Sequence, residues 1–354
     1  MSVAITLSDF RSELRRQGLN AFLVPMDDAH MGEYSPSSER RITALSGFKG
    51  SAGFIVVTLD TAIIWTDGRY LIAIKSEVDE SQWTIRNSNT DGPMTCVADY
   101  LKVGDIVGYD AAMQTIQSVD SWSKAITPLG AKLQAVETNP VDAIWHDQPI
   151  PPATIAVPHA PEFAGKSSAE KRAELAGALQ ESGLKAQVLN QSESIAWLLN
   201  ARGDDIAGLP VARSFATLHD DGAVDWYIAP ERVSDTMHQA LDNRVAIYHP
   251  DEMIGRLANL SGPVGLDYGT CNAAIANALK GAEIAVQHNG DPVILPRAIK
   301  NEVEQQGARD AQRRDARAVI RFARWLDQHP KISAESELSV IDKILALREE
   351  NADA

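Results

Sequence analysis

Short apolar segments alternate with amphipathic ones along the first 145 residues. Leu7, Phe10 and Leu14 share one face of a predicted helix that ends at Gly18. Further segments of both kinds follow in turn. The predicted strands cover residues 21–25, 54–59, 62–65, 83–86 and 106–109, and the later predicted helices cover 69–78, 95–101 and 115–125. This alternation predicts an α/β domain, a mixed sheet flanked by helices.

A proline-rich segment from residue 146 to residue 166 separates this domain from the rest of the chain. Its prolines are Pro149, Pro151, Pro152, Pro158 and Pro161, and it has almost no periodic apolar pattern. Because proline at this density disfavours both helix and central strand, we expect an extended, semi-rigid linker.

The segment after the linker repeats the order of the first domain. Gly183-Leu184 corresponds to Gly18-Leu19 at an offset of 165 residues, and at both places a helix precedes and a short apolar strand follows. This order predicts an internal duplication, with a second α/β domain of related topology over residues 167–296. A long helix is predicted from 301 to 329, and an amphipathic helix from 336 to 350.

Composition and charge narrow the function classes. The net charge of −15 argues against nucleic acid and acidic membranes as partners, because both attract basic surfaces. No apolar run approaches the roughly 18 residues of a membrane helix. Cys96 and Cys271 lie far apart without a disulfide framework, which is typical of a cytoplasmic protein.

A glycine run stands between a predicted helix and strand. Gly47, Gly50 and Gly53 recur every three residues, so we expect at least one backbone conformation that other residues rarely adopt, in a structural turn. The spacing fits neither a phosphate-binding loop nor a dinucleotide fingerprint, and Lys49 replaces the glycine that a nucleophile elbow needs before Ser51.

Three segments carry a resemblance to a known family. Ser-Gly-Phe-Lys-Gly-Ser-Ala-Gly at 46–53, Trp-Thr-Asp-Gly-Arg-Tyr at 65–70 and Asp-Ala-His-Met-Gly-Glu-Tyr at 28–34 resemble the creatinase-like amino-terminal domain of Xaa-Pro aminopeptidases (aminopeptidase P) of the three-domain type. The resemblance implies an α/β fold class with two related creatinase-type domains having mixed sheets flanked by helices, plus the first helices of a pita-bread catalytic domain. The expected bounds are 1–145 for domain I, 146–166 for the linker, 167–296 for domain II and 297–354 for the entry helices.

The family's activity depends on residues that this sequence does not display. Its members hold two metal ions, usually manganese, with Asp, His and Glu ligands, and remove the residue before a proline at the second position of a peptide. We find no histidine after His329, and Asp342, Glu349, Glu350 and Asp353 have no imidazole companion. The resemblance therefore implies a truncated, amino-terminal portion of a homodimeric, cytoplasmic metallopeptidase, inactive alone, with no catalytic residue or metal ligand in this chain.

Two alternatives stay open, as do three candidate residues. The chain is alternatively a non-catalytic peptide- or protein-binding module, or a creatine amidinohydrolase, although those enzymes typically carry one amino-terminal domain. Asp28, His30 and Arg69 are candidates for substrate access, because amino-terminal domains in relatives border a neighbouring subunit's active site. Asp27, Asp28 and His30 also resemble a metal-ligand set, but we interpret them as capping and loop hydrogen-bonding residues.

Overall fold

The computed structural model describes residues 5–350, and these form two compact units. The larger unit extends to Pro158 and from Ser168 to Ile294, and the smaller comprises His159–Ser167 and the chain from Leu295 onward. The larger unit carries two six-stranded sheets. We call the part around the first sheet domain I and the part around the second sheet domain II.

Domain I contains one mixed sheet with helices on both faces. Its strands are β1 (Ala21–Pro25), β2 (Phe54–Thr58), β3 (Ala62–Thr66), β4 (Thr84–Asn87), β5 (Ile106–Tyr109) and β6 (Lys132–Ala135). Its helices are α1 (Leu7–Arg16), α2 (Arg41–Ser46), α3 (Ile74–Glu77), α4 (Pro93–Cys96) and α5 (Ile116–Ile126). The strand order is β4-β3-β2-β1-β5-β6. Alternation along β1 places Phe22 and Val24 in one buried cluster and Ala21 and Leu23 in the other, so each face of the sheet has its own core.

The remaining strands and the next helices belong to domain II and to the segment that connects it to domain I. The strands are β7 (Val157–Pro158), β8 (Ala186–Leu189), β9 (Ala201–Arg202), β10 (Phe215–His219), β11 (Val224–Tyr227), β12 (Val245–Tyr248), β13 (Val264–Leu266) and β14 (Val286–His288). The helices are α6 (Pro161–Ala164), α7 (Ser168–Glu181), α8 (Ser192–Leu199), α9 (Asp235–Ala240), α10 (Met253–Leu257), α11 (Ala273–Gly281) and α12 (Ile294–Ala298). The six-stranded sheet has the order β12-β11-β10-β8-β13-β14, and β7 pairs with β9 apart from it.

The two sheets have the same topology, which confirms the predicted duplication. In both, the first strand pairs antiparallel with the second and parallel with the fifth, and the third pairs parallel with the fourth. β1 and β8 therefore occupy equivalent central positions, as do β5 and β13 next to them. The correspondence extends to α5 and α11, each of which follows the fifth strand of its sheet.

The smaller unit is helical. It contains α6, all of α12 after Ile294, α13 (Glu302–Gln328) and α14 (Glu337–Glu349). Asn301 caps α13 in a capping box with Glu304, and its Nδ2 donates to the carbonyl oxygen of Ala164 at 2.8 Å. Ala318 and Leu347 are buried, but many large apolar side chains of this unit are exposed, among them Leu295, Ile299, Ile320, Leu338 and Ile341. None of the described helices is long and apolar enough to cross a membrane.

Two predicted helices are wrong in extent. The helix expected over 69–78 is α-helical only from Ile74 to Glu77, because the Asp67 carboxylate accepts the Arg69 amide and folds residues 68–73 into turns. The helix expected over 95–101 is the short α4 followed by a 3₁₀ turn at Val97–Asp99.

The linker prediction is also wrong in part. Residues 157–158 form β7, and residues 161–164 form α6 with Pro161 in its first turn. Proline is compatible with that first turn, because its missing N–H would have no intrahelical partner there. High proline content therefore did not exclude a short helix.

Candidate functional site

Buried ion pairs and hydrogen bonds join domains I and II. This contact begins at the loop after β1, where Asp28 is 1% exposed. One Asp28 oxygen accepts the backbone N–H of His30 at 2.9 Å, and the other accepts Arg213 Nη2 of domain II at 3.1 Å. Burial raises the pKa of Asp28, and the Arg213 guanidinium offsets part of that rise. Arg213 thus supplies the cation that a buried carboxylate needs.

The ion pairs continue through domain I. Arg213 Nη2 also lies 3.3 Å from Glu39, and Glu39 accepts Arg41 at 2.7 Å. Arg41 in turn makes a bidentate pair with Asp142, with both bonds at 2.8 Å. Burial alone would raise the pKa of Glu39, but Arg41 and then Arg213 outweigh it, so that this pKa is lowered. Glu39 therefore remains a carboxylate held by two arginines.

Domain II holds Arg213 in place through Asp205. The Asp205 carboxylate accepts the Arg213 backbone N–H at 2.6 Å and Arg232 at 2.5 Å. It also accepts the backbone N–H and the hydroxyl of Thr154 at 2.9 and 2.7 Å. Because its side chain is fully buried and each oxygen is occupied, Asp205 fixes the backbone from which Arg213 reaches domain I.

His30 contacts the other side of this interface. Its ring stacks on Phe215 with centroids 4.3 Å apart, and its buried Nδ1 has no hydrogen-bond partner among the described residues. Burial, followed by the charge of Arg213, lowers the pKa of His30 to about 3, although Glu39 and the Asn190 backbone oppose the shift. His30 is therefore a neutral aromatic group in this contact at physiological pH.

Two asparagines of domain II bind the carbonyl oxygen of Ala29. Asn272 Nδ2 donates to it at 3.0 Å and Asn190 Nδ2 at 3.2 Å. Asn272 Nδ2 also lies 3.0 Å from Asn190 Oδ1. Domain II thus contacts consecutive residues of one loop by an ion pair, a carbonyl group and a stacked ring.

The third predicted candidate, Arg69, lies elsewhere. It is exposed, pairs with Asp67 at 2.7 Å and lies over the ring of Tyr70 at 5.2 Å. Over residues 5–350 no contact joins Arg69 to Asp28 or His30. The structure therefore brings two of the three candidates together and leaves Arg69 on a separate exposed surface; their role in substrate access stays a prediction.

The glycine run forms the turn into β2. Gly47 has φ +83° and caps α2, its N–H bonding the carbonyl of Thr43 at 2.8 Å, which confirms the predicted glycine conformation at one of the three positions. A Cβ on Gly50 would lie 2.2 Å from the Phe48 ring, and one on Gly53 would lie 3.2 Å from the same ring. Gly50 therefore permits close approach, without a positive φ.

The residues that the structure describes do not fit a two-metal centre. Within residues 5–350 no group of three or more His, Cys, Asp or Glu side chains is placed to hold a metal ion. Asp28 is committed to Arg213, and the His30 ring to Phe215. Asp353, one of the acids considered in the sequence, lies outside the described residues.

Sequence reasoning did not identify Arg213, Asp205, Glu39, Asn190 or Asn272. One available signal was a second repeat: Asn-Pro-Val at 139–141 and Asp-Pro-Val at 291–293 occupy equivalent places after the last strand of each sheet. It would have aligned the ends of the two domains.

Comparison with known proteins agrees with this architecture. The creatinase/prolidase N-terminal domain family matches residues 7–143 and, through a second description of the same domain, residues 147–304. A probable Xaa-Pro aminopeptidase P of Talaromyces stipitatus is 32% identical over 97% of the chain, and aminopeptidase P1 of Arabidopsis thaliana is 29% identical over 91%. The crystal structure of X-prolyl aminopeptidase from Caenorhabditis elegans, described as a cytosolic enzyme with a di-nuclear active site, has a TM-score of 0.90 at 26% identity and covers 97% of the chain.

The matches cover only part of those relatives. The chain spans 54% of each of the two curated proteins and 59% of the C. elegans chain. Both sheets, their shared topology and both family matches lead to one conclusion. The chain belongs to the creatinase/prolidase N-terminal domain family and carries two such domains in succession.

Proposed function

We propose that this chain is the amino-terminal part of a metal-dependent Xaa-Pro aminopeptidase and that its two domains support and orient the catalytic part. The observation that carries the proposal is the alignment of 97% of the chain with about half of the Xaa-Pro aminopeptidases it resembles. The substrates would be peptides with proline at the second position. A cytoplasmic location and a homodimer are part of the same proposal.

The metal would be bound outside the described residues. The C. elegans relative is described as having a di-nuclear active site, whereas residues 5–350 of this chain offer no matching ligand set. Catalytic metal ions need several ligands at fixed geometry together with an open position for water. We therefore expect the 354-residue chain to be inactive by itself; manganese is the expected metal of the whole enzyme.

The smaller unit supports the same proposal. Residues 297–354 would be the entry to the pita-bread catalytic domain, and the exposed apolar side chains of α13 and α14 would be covered there. Leaving large apolar side chains in water forfeits roughly 1.5–3 kcal/mol each relative to burying them. Such a surface is what a helix pair would show when its remaining contacts come from another part of the protein.

The test combines activity, metal content and binding. The purified 354-residue chain should neither cleave a Xaa-Pro peptide with manganese added nor retain metal after gel filtration. The same chain, joined to the carboxyl-terminal part of the C. elegans relative, should yield a peptidase that a chelator inactivates. Metal-dependent turnover by the 354-residue chain alone would refute the proposal, and tight peptide binding without turnover would favour a binding module.

A further inference from the structure

The helices α5 and α11 meet at their amino termini, across the contact between the two domains. Thr115, the N-cap of α5, and Asn272, the N-cap of α11, form an antiparallel bridge. These helices hold equivalent positions in the two sheets, each following the fifth strand. The bridge therefore joins a residue of one domain to its own structural counterpart in the other.

The hydrogen bonds around this bridge are reciprocal. The first amide of α5, Ile116 N, donates to the carbonyl of Cys271 at 3.1 Å, and the first amide of α11, Ala273 N, donates to the carbonyl of Gln114 at 2.8 Å. Cys271 and Gln114 each directly precede the N-cap of their own helix. Each helix is thus capped by the segment that leads into the other.

The second amides repeat the pattern. Gln117 N donates to Tyr268 O at 2.9 Å, and Ala274 N donates to Ala111 O at 3.0 Å. Each donor and each acceptor in domain I has its counterpart in domain II 157 residues later in the sequence. A helix start has amides without intrahelical partners, so these bonds satisfy groups that would otherwise need water. Reciprocity at equal offset is the property of a two-fold, isologous contact.

An apolar side chain from each helix start also packs into the core of the other domain. Ala273 of domain II is buried within a core cluster of domain I, and Ile116 of domain I packs against a core cluster of domain II. The segments leading to the two helices also match. Asp110 accepts the Ala112 amide at 2.9 Å, and Asp267 accepts the Gly269 amide at 2.9 Å, so that both loops have the same turn.

We infer that domains I and II form an internal pseudo-homodimer, in which one surface, present on each copy around the start of α5 or α11, docks on its counterpart. The partner that this surface fits is another creatinase-type amino-terminal domain. Its association does not depend on the linker. The Asp28–Arg213 pair and the His30–Phe215 stack have no such reciprocal counterpart among the contacts described. They therefore favour association of domain I with domain II over association of two identical domains.

Cleavage of the linker in the folded chain tests this inference. Ile150 is 91% exposed, so a recognition site for a sequence-specific protease can be inserted after it. After cleavage, the two fragments should co-elute at the mass of the intact chain at micromolar concentration. Separation of the wild-type fragments would overturn the inference.

Two matched pairs of variants test the contact around the two helix starts. Ala273→Pro removes the amide that bonds Gln114, at a first-turn position where proline suits a helix. Its control, Asp235→Pro, changes the exposed first residue of α9. After cleavage, exchange of a labelled fragment should be at least about tenfold faster in Ala273→Pro than in the control, because a buried acceptor loses its donor.

The second pair uses the caps. Asn272→Ser keeps a capping hydroxyl but loses the two hydrogen bonds made by Asn272 Nδ2, whereas Thr115→Ser keeps both the cap and the backbone contacts. This pair serves where Ala273→Pro does not fold, which circular dichroism of the uncut chain shows. Exchange at the same rate as the matched control would contradict the inference.

Discussion

Removal of Arg213 should destabilise the larger unit strongly. In Arg213→Met the Asp28 carboxylate stays buried but loses its cationic partner, 3.1 Å away in the native chain. Glu39 keeps its second partner, Arg41, so Asp28 is the group left uncompensated. Breaking a buried ion pair from one side costs about 3–5 kcal/mol, and we expect a loss in that range near neutral pH.

The loss should depend on pH in a defined direction. Burial already raises the pKa of Asp28, and removal of Arg213 takes away the main influence that lowers it. An acid whose pKa is higher in the folded than in the unfolded state takes up its proton more readily when folded. Relative to the wild type, the variant should therefore regain stability as the pH falls through the raised pKa of Asp28 toward the ordinary aspartate value of 3.8, by up to about 1.4 kcal/mol for each pH unit.

Urea denaturation followed by tryptophan fluorescence measures both effects. The set comprises the wild type, Arg213→Met, Asp28→Asn and the double variant. Asp28→Asn removes the unpaired charge, so the double variant should be more stable than Arg213→Met alone near pH 7. A stabilising role for the Asp28–Arg213 pair is refuted if Arg213→Met lies within about 1 kcal/mol of the wild type, or if Asp28→Asn fails to restore stability in the double variant.

Three further predictions concern single positions. Gly47→Ala should lower the free energy of unfolding by more than about 1 kcal/mol in urea melts, because φ is +83°, whereas Gly177→Ala within α7 should raise it by roughly 0.5–1 kcal/mol. His30 has a pKa of about 3 when folded and 6.5 as a free side chain, so the neutral form is favoured in the fold and stability should fall as pH drops from about 6.5 toward 3. His30→Phe should lack that component, seen as a smaller shift of the urea midpoint between about pH 6.5 and 4. Leu338→Asp, at a residue that is 73% exposed, should change the free energy of unfolding by less than about 0.5 kcal/mol in urea melts, because an exposed side chain has little packing to lose.

The sequence carried the repeating architecture but not the contact between the copies. Gly18 and Gly183 end equivalent helices with positive φ, which is why their flanking pattern predicted the duplication. Local signals of this kind act within a few residues. Asp28 and Arg213 are 185 residues apart, and neither has a sequence context that specifies the other. Their pairing follows from the way two folded domains meet, which periodicity does not encode.

The predicted helix over residues 69–78 was too long for a different reason. Residues 69–78 have helical spacing of apolar residues, but Asp67 offers its carboxylate to the Arg69 amide and side chain, and this local alternative wins over the first helical turns. The surroundings of the candidate residues were also not predictable from their local sequence. Asp28 and His30 were singled out as polar loop residues, yet their burial against domain II depends on Phe215 and Arg213.

The shared strand order also bears on how the chain reaches its native state. Each sheet has its first strand in the centre, paired on both edges. The second edge of β1 pairs only with β5, and Ile106 of β5 lies 86 residues after Asn20, which directly precedes β1. Similar neighbouring domains are prone to pairing a strand with the wrong copy during folding. The strands β1 (Ala-Phe-Leu-Val-Pro) and β8 (Ala-Gln-Val-Leu) have kept the position and diverged in sequence. The different sequences of the two copies thus disfavour pairing of a strand from one domain with the sheet of the other during folding. A chain rebuilt from two identical copies would lose that difference.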